Sequence, residues 1–171
     1  MTQRTSDDFI AGTLVPMYGE FDVRVFRADG SVEEKTVRNV ATKLGLNRIA
    51  RRAVESSTTS AAYYLSIGTL TTAASLNAAI TSYGEVGRKA SIVTGTSASS
   101  REWFFMVATW GGASDSLTGV ALDAAVITDH ANSGNGAPWN IAVGVGVTLQ
   151  QSDVLHLTGR IRVGSHDIDN G

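Results

Sequence analysis

The sequence has no cysteine and only two prolines among 171 residues. The missing cysteine excludes disulfide staples, zinc–thiolate sites and thiol nucleophiles. The compartment stays open, because cysteine-free chains occur in both redox environments. Charge is scarce too: Asp, Glu, Lys and Arg make up 18% of the chain, against about 25% in ordinary soluble domains. Fourteen basic and sixteen acidic side chains leave a net charge of −2. That balance argues against a protein that coats nucleic acid, which needs clustered cations to displace counterions. No segment approaches ~18 uninterrupted apolar residues. The amino-terminal "MTQRTSDDFIAGTLV" carries carboxylates ahead of a short apolar run and has no long h-region. Neither a signal peptide nor a membrane span is expected.

What is abundant is small and uncharged. The 18 glycines are roughly 11% of the chain, against about 7% on average. Surfaces rich in Ser, Thr, Ala and Gly suit packing against other subunits, although a β-domain with many turns has the same composition. A chain of this length forms one domain and removes roughly two-thirds of its unfolded surface from water, so it needs no staples. The expected organisation is a leader or arm over 1–19, a single domain over 20–164 and a tail over 165–171.

Hydrophobic periodicity supplies the fold class. "FDVRVFRADGSVEEKTVRNV" alternates side chains around Ala28-Asp29-Gly30 and predicts a hairpin. "NVATKLGLNRIARRAVESS" places Val40, Leu44, Ile49, Ala50, Ala53 and Val54 near one helical face, which predicts an amphipathic helix weakened in its middle by Gly45. "AAYYLSIGT" reads as an inner strand, and the Ala-rich stretch 73–80 as two helical turns. "RKASIVTG", "REWFFMVATW", "GVALDAAVIT", "WNIAVGVGVTL" and "VLHLTGRIRVG" read as successive strands separated by turn-rich segments. The expected class is mainly β: an antiparallel β-sandwich or open barrel, jelly-roll or Ig-like, with one amphipathic helix packed on it.

Patterns that carry chemistry are weak. Gly68-Thr69 ends an apolar strand, as a phosphate loop would, but a cradle needs several glycines and a lysine, and "SIGTLTTAASLN" has one and none. Strand termination is the expectation there. His130, His156 and His166 lack metal-ligand pair spacing. Asp167, Asp169 and Asn170 resemble half a calcium loop without its bidentate glutamate. "GASDSLTG" and "GTSAS" lack the Gly-x-Ser-x-Gly order. No catalytic, cofactor-binding or metal-ligating residue is therefore named. In "REWFFMVATW", alternation sends Trp103, Phe105 and Val107 to one face and Phe104, Met106 and Ala108 to the other, so both faces are apolar. Such a strand is either central in a sandwich or covered on one face by a neighbouring subunit. Trp103, Phe105, Trp110 and Trp139 are the candidate interface aromatics. Arg48, Arg51 and Arg52 are a solvated helix face or a contact for an anionic partner.

The order of the parts carries a resemblance. "VRNVATKLGLNRIARRA" followed by "YYLSIGTLTTAASLNAAITSYGEVGRK" is similar to a pattern in small structural proteins of tailed-bacteriophage virions and in domains of phage tail proteins. In that pattern an Asn-Val-Val-Thr-like start leads into a helix with Gly-Leu, then a strand ending Ile-Gly-x-Gly-Thr-Thr, a Thr/Ala-Leu segment and Glu-x-x-Arg. The counterparts are Asn39; Gly45 and Leu46; Ile67, Gly68 and Thr69; Leu76; Glu85 and Arg88. "LTGVALDAAVIT" resembles the segment before the final hairpin, and "VGVTLQQSDVLHLTGRIRV" the closing pair, with Asp153-Val154-Leu155 opening the last strand. The likeness runs over residues 20–164 and lacks the second glycine of the Ile-Gly-x-Gly motif. It implies a non-enzymatic virion component that forms a homo-oligomer or binds a repeating lattice, with other virion proteins, the major capsid protein or tail components, as partners. It implies neither nucleic acid nor membrane. A capsid decoration (cement) protein is the leading expectation. The alternatives are a tail, neck or baseplate component, and a carbohydrate-binding receptor module using Tyr63, Tyr64 or Trp139.

Overall fold

Alternating apolar residues broken by turn signals give ten strands in a computed structural model that describes residues 17–47, 64–69, 83–90, 92–96, 103–136 and 138–163. They are β1 (Met17–Phe26), β2 (Val32–Arg38), β3 (Val40–Ala41), β4 (Tyr64–Gly68) and β5 (Glu85–Ala90). β6 (Ile92–Thr96), β7 (Trp103–Gly111), β8 (Ala121–Thr128), β9 (Pro138–Thr148) and β10 (Val154–Val163) complete the set. All pair antiparallel in two five-stranded sheets, sheet A in the order β2-β1-β10-β7-β6 and sheet B in the order β3-β9-β8-β4-β5. The expected antiparallel sandwich is the fold.

The predicted hairpin is β1–β2. Its turn closes with the Arg27 amide donating to Ser31 O (2.9 Å) and the Gly30 amide to Arg27 O (3.0 Å). Gly30 sits at φ +86, where a side chain would be strained. The predicted strand "RKASIVTG" departs from expectation. β5 ends at Ala90 in sheet B and β6 begins at Ile92 in sheet A. The β2–β3 passage does the same through Asn39. The chain thus changes sheets on both sides of the sandwich, a feature that periodicity along one strand does not reveal.

The core lies between the sheets. Phe21, Val23 and Val25 of β1 and Leu155, Leu157 and Ile161 of β10 meet Leu65, Ile67, Ala125, Ile127 and Ala142 of sheet B. Sheet B is buried on its other face too: Ala124, Val126 and Ile141 pack with Tyr83. This double burial explains why "ALDAAVIT" is a near-continuous apolar run, without the polar alternation of a half-exposed strand.

The helix begins later than expected: Val40, placed on its apolar face, pairs with Ile141 in β3, and Leu44 of the same face is exposed. Thr42 caps α1 (43–47): its Oγ1 accepts the Gly45 amide at 3.0 Å and donates to the Pro138 carbonyl, while its amide donates to Trp139 O at 2.9 Å. The rest of the predicted helix and the Ala-rich stretch 73–80 lie outside the described residues. Gly45 reads as a weak point in the sequence, yet a Cβ there would lie 2.7 Å from the Trp139 Cα and collide with its carbonyl oxygen. Gly45→Ala, which in a free helix adds about 1 kcal/mol, should here cost about 1–3 kcal/mol by overpacking against backbone. Urea unfolding of the two proteins checks the sign.

Candidate interaction surface

The outer face of sheet A is built by the odd-even split of four strands. β1 contributes Glu20, Asp22, Arg24 and Phe26, while Phe21, Val23 and Val25 face the core. The pairing sets Arg160, Thr158, His156 and Val154 of β10 beside them, then Phe105, Val107 and Thr109 of β7 beside β10. Arg38, Thr36, Glu34 and Val32 of β2 lie on the opposite side of β1.

Electrostatics run across this face as a ridge. Arg160 pairs with Glu20 at 3.3 Å and with Asp22, and its guanidinium stands 5.5 Å from the Phe105 ring centroid. The Thr36 hydroxyl donates to Asp22 Oδ1 at 2.8 Å, and Arg24 pairs with Glu34 at 3.1 Å. At the hairpin end Phe26 (41% exposed) and Val32 (47% exposed) are cross-strand partners, with the His156 ring 6.5 Å from that of Phe26. Glu20, Asp22, Arg24, Glu34 and Arg160 are already paired with one another, and Phe26 and Val32 stand exposed at the hairpin end, an arrangement suited to docking a partner surface.

Of the predicted interface residues, Phe105 is half-buried on this face and Trp103 is the first residue of β7. Trp110 corrects the expectation. It shares the register parity of Met106 and Ala108, faces the core and is 1% exposed. Trp139 is corrected likewise: 7% exposed, it packs in the same core cluster and is no loop aromatic. Arg48, Arg51 and Arg52 lie outside the described residues, as do His166 and the acidic tail. His156 faces outward beside Phe26, and His130 Nδ1 accepts the Asn132 amide at 3.0 Å. Gly68 ends β4 and Thr69 binds back to Gly84 O at 3.0 Å, so the segment terminates a strand. The chain matches no protein-family model, no curated protein and no solved structure.

Residue-by-residue reading missed a buried ion-pair clamp, although Glu85 and Arg88 stood in the resembling pattern. On the outer side of sheet B, Arg88 Nε meets Glu85 Oε1 at 2.6 Å, with side chains 2% and 6% exposed. Glu85 also accepts the Ser66 hydroxyl (2.5 Å), the Ser133 hydroxyl (2.7 Å) and the Gly134 amide (2.7 Å). Arg88 Nη1 donates to the carbonyls of His130 (2.7 Å), Asn132 (2.5 Å) and Asn135 (3.0 Å). One ion pair therefore holds the exposed β8–β9 connection. A second latch joins the β1–β2 and β9–β10 turns. Asp153, 2% exposed, accepts Arg27 Nη1 at 2.6 Å, the Gln150 amide at 2.8 Å and the Ala28 amide at 3.2 Å.

Burial pushes the Glu85 carboxyl up, but hydrogen bonds from Ser66, Ser133, Arg88 and the Gly134 amide outweigh it and hold the group below its ordinary 4.5. Below that ordinary value the unfolded chain binds the proton more readily, so stability rises with pH across the window. The contribution is complete above the unfolded pKa and is lost as pH falls through the lower folded value. Asp153, lowered chiefly by the Gln150 amide and Arg27, acts in the same direction. Glu85→Gln should flatten the acid limb of the stability curve in urea unfolding between about pH 3 and pH 7. An unchanged slope would remove Glu85 from the account.

Proposed function

We propose that this chain is a non-enzymatic structural protein of a tailed-bacteriophage virion, a capsid decoration protein that grips the outer capsid lattice. The observation that carries the reading is the order of Asn39, Gly45-Leu46, Ile67-Gly68-Thr69, Leu76, Glu85 and Arg88, which resembles the pattern of small virion proteins. The described members of that series support it by their work. Asn39 turns the corner between sheets and Gly45 admits α1 against Trp139. Gly68 ends β4, and Glu85 with Arg88 fixes the β8–β9 connection. They are residues of a rigid bracket, and the outer face of sheet A is a surface such a bracket can present.

The mechanism is multivalent. Each copy contributes modest apolar and hydrogen-bonded contact, and a repeating lattice makes the contacts cumulative. Images of intact particles with and without the protein test the location. Density lost from the capsid shell and regained on adding purified chain supports the reading; density lost from the tail, neck or baseplate moves the protein there. Binding on a glycan array would favour the receptor-module alternative. Of its candidate aromatics, Trp139 is buried, Tyr64 is half-buried, and Tyr63 lies outside the described residues.

A further inference from the structure

We propose that β2 is a self-pairing edge, through which two copies of the chain join antiparallel about Thr36 and continue sheet A across a two-fold axis. This is independent of any position in a virion. Among the described residues, four strands end the two sheets: β2 and β6 in sheet A, β3 and β5 in sheet B. β3 has two residues. The β4–β5 pairing slips at Ile67/Gly68 and the β6–β7 pairing at Val93/Thr96, irregularities that twist an edge away from partners. β2 alone among them pairs without a break over seven residues, and all of these but Val37 are exposed.

The hydrogen-bond phase of β2 follows from its two ends. Arg27 N binds Ser31 O and Asn39 N binds Gly19 O, so the odd-numbered residues of β2 face β1. The amides and carbonyls of Val32, Glu34, Thr36 and Arg38 consequently point away from the sheet. Strand addition needs such a row of main-chain groups.

Charge on an edge usually blocks association, but here one register makes it complementary. Pairing about Thr36 sets Glu34 opposite the partner's Arg38 twice, and Thr36 opposite itself. All of these lie on the outer face of sheet A, and both kinds of pair are favourable across strands. Arg38 has no ion-pair partner among the described residues and is available for this contact. Pairing about Glu34 or Lys35 would set like charges opposite each other. Pairing about Val37 opposes no like charges but sets Arg38 opposite Thr36 and forms no ion pair, so the register about Thr36 is the one that charge complementarity favours. One seven-residue edge is far smaller than a standard interface, so the dimer is concentration-dependent.

Sedimentation equilibrium of the purified full chain, up to about 1 mM, tests this, with thermal unfolding run alongside to show each variant folded. Wild type should dimerise. Glu34→Arg sets two Arg–Arg pairs across the axis and should raise the dimer dissociation constant at least about tenfold. Adding Arg38→Glu should restore it to within about threefold. Thr36→Pro, whose lost amide faces solvent in the monomer, should abolish the dimer. Thr36→Cys, in a chain with no other thiol, should cross-link on mild oxidation, whereas the equally exposed Asp29→Cys should not. A strictly monomeric wild type, a dimer indifferent to Glu34→Arg, or a double variant that fails to recover would each overturn the proposal. None of these outcomes bears on whether particles carry the protein.

Discussion

Arg88→Met should cost about 3–5 kcal/mol of folding stability, although the residue sits on an outer strand and its replacement has similar volume. The reason is what remains behind. Glu85, with its side chain 6% exposed, would keep its burial and lose the cation at 2.6 Å, leaving a desolvated carboxylate with only neutral donors. The deficit should shrink as pH falls, because the unpaired carboxyl takes up a proton in place of holding a buried charge. Arg88→Lys keeps the charge but cannot span Glu85 and three carbonyls with a planar fork, so it should fall between the two. Glu85→Leu combined with Arg88→Met should recover much of the lost stability, since a buried pair replaced by apolar groups is often neutral. Amide exchange at Gly134 should nonetheless speed up in the double variant, because its acceptor has gone. Urea unfolding and hydrogen exchange together separate the two roles of the pair: burial of charge and ordering of the β8–β9 connection. If Arg88→Met unfolded like wild type at neutral pH, the clamp would be a surface ornament.

The clamp also shows where sequence reading reaches its limit. Strands were legible because alternation is a local property: Phe21, Val23 and Val25 against Glu20, Asp22 and Arg24 fix the face of β1 without knowledge of its neighbours. The hairpin was legible because Asp29-Gly30 is a backbone requirement written in two residues. Glu85 and Arg88 are three apart on a strand, a spacing that predicts nothing. Their meeting depends on Ser66 from β4 and on the carbonyls of residues 130–135, brought there by the β4–β8 pairing. The corner at β5–β6 was hidden for the same reason, since a strand that changes sheets keeps its composition. The proposed function rests on the order of short pieces, a signal that carries no geometry, so the local roles of Asn39, Gly45 and Gly68 had to come from the fold.

Trp110→Ala should be as costly as the loss of Arg88, about 3–5 kcal/mol, and it decides how "REWFFMVATW" is to be understood. Both faces of that strand are apolar, so composition makes every aromatic in it an equal candidate for a partner surface. The pairing of β7 with β10 breaks the tie. Phe105 lies opposite Arg160, on the outer face, and Trp110 lies opposite Leu155, on the core face. Truncating Trp110 opens a cavity among residues already packed between two sheets, and removes the ring over which Lys89 Nζ stands at 6.0 Å. Phe105→Ala, at a half-buried site, should cost no more than about 1–2 kcal/mol. Trp110→Phe should be much milder than Trp110→Ala. It keeps most of the ring, and the Trp110 Nε1 it discards is a buried donor without an acceptor. Thermal unfolding orders the three variants, and particle binding by Phe105→Ala then reads the outer face alone. A Trp110→Ala protein as stable as wild type but unable to bind particles would reverse the assignment and make that tryptophan the anchor.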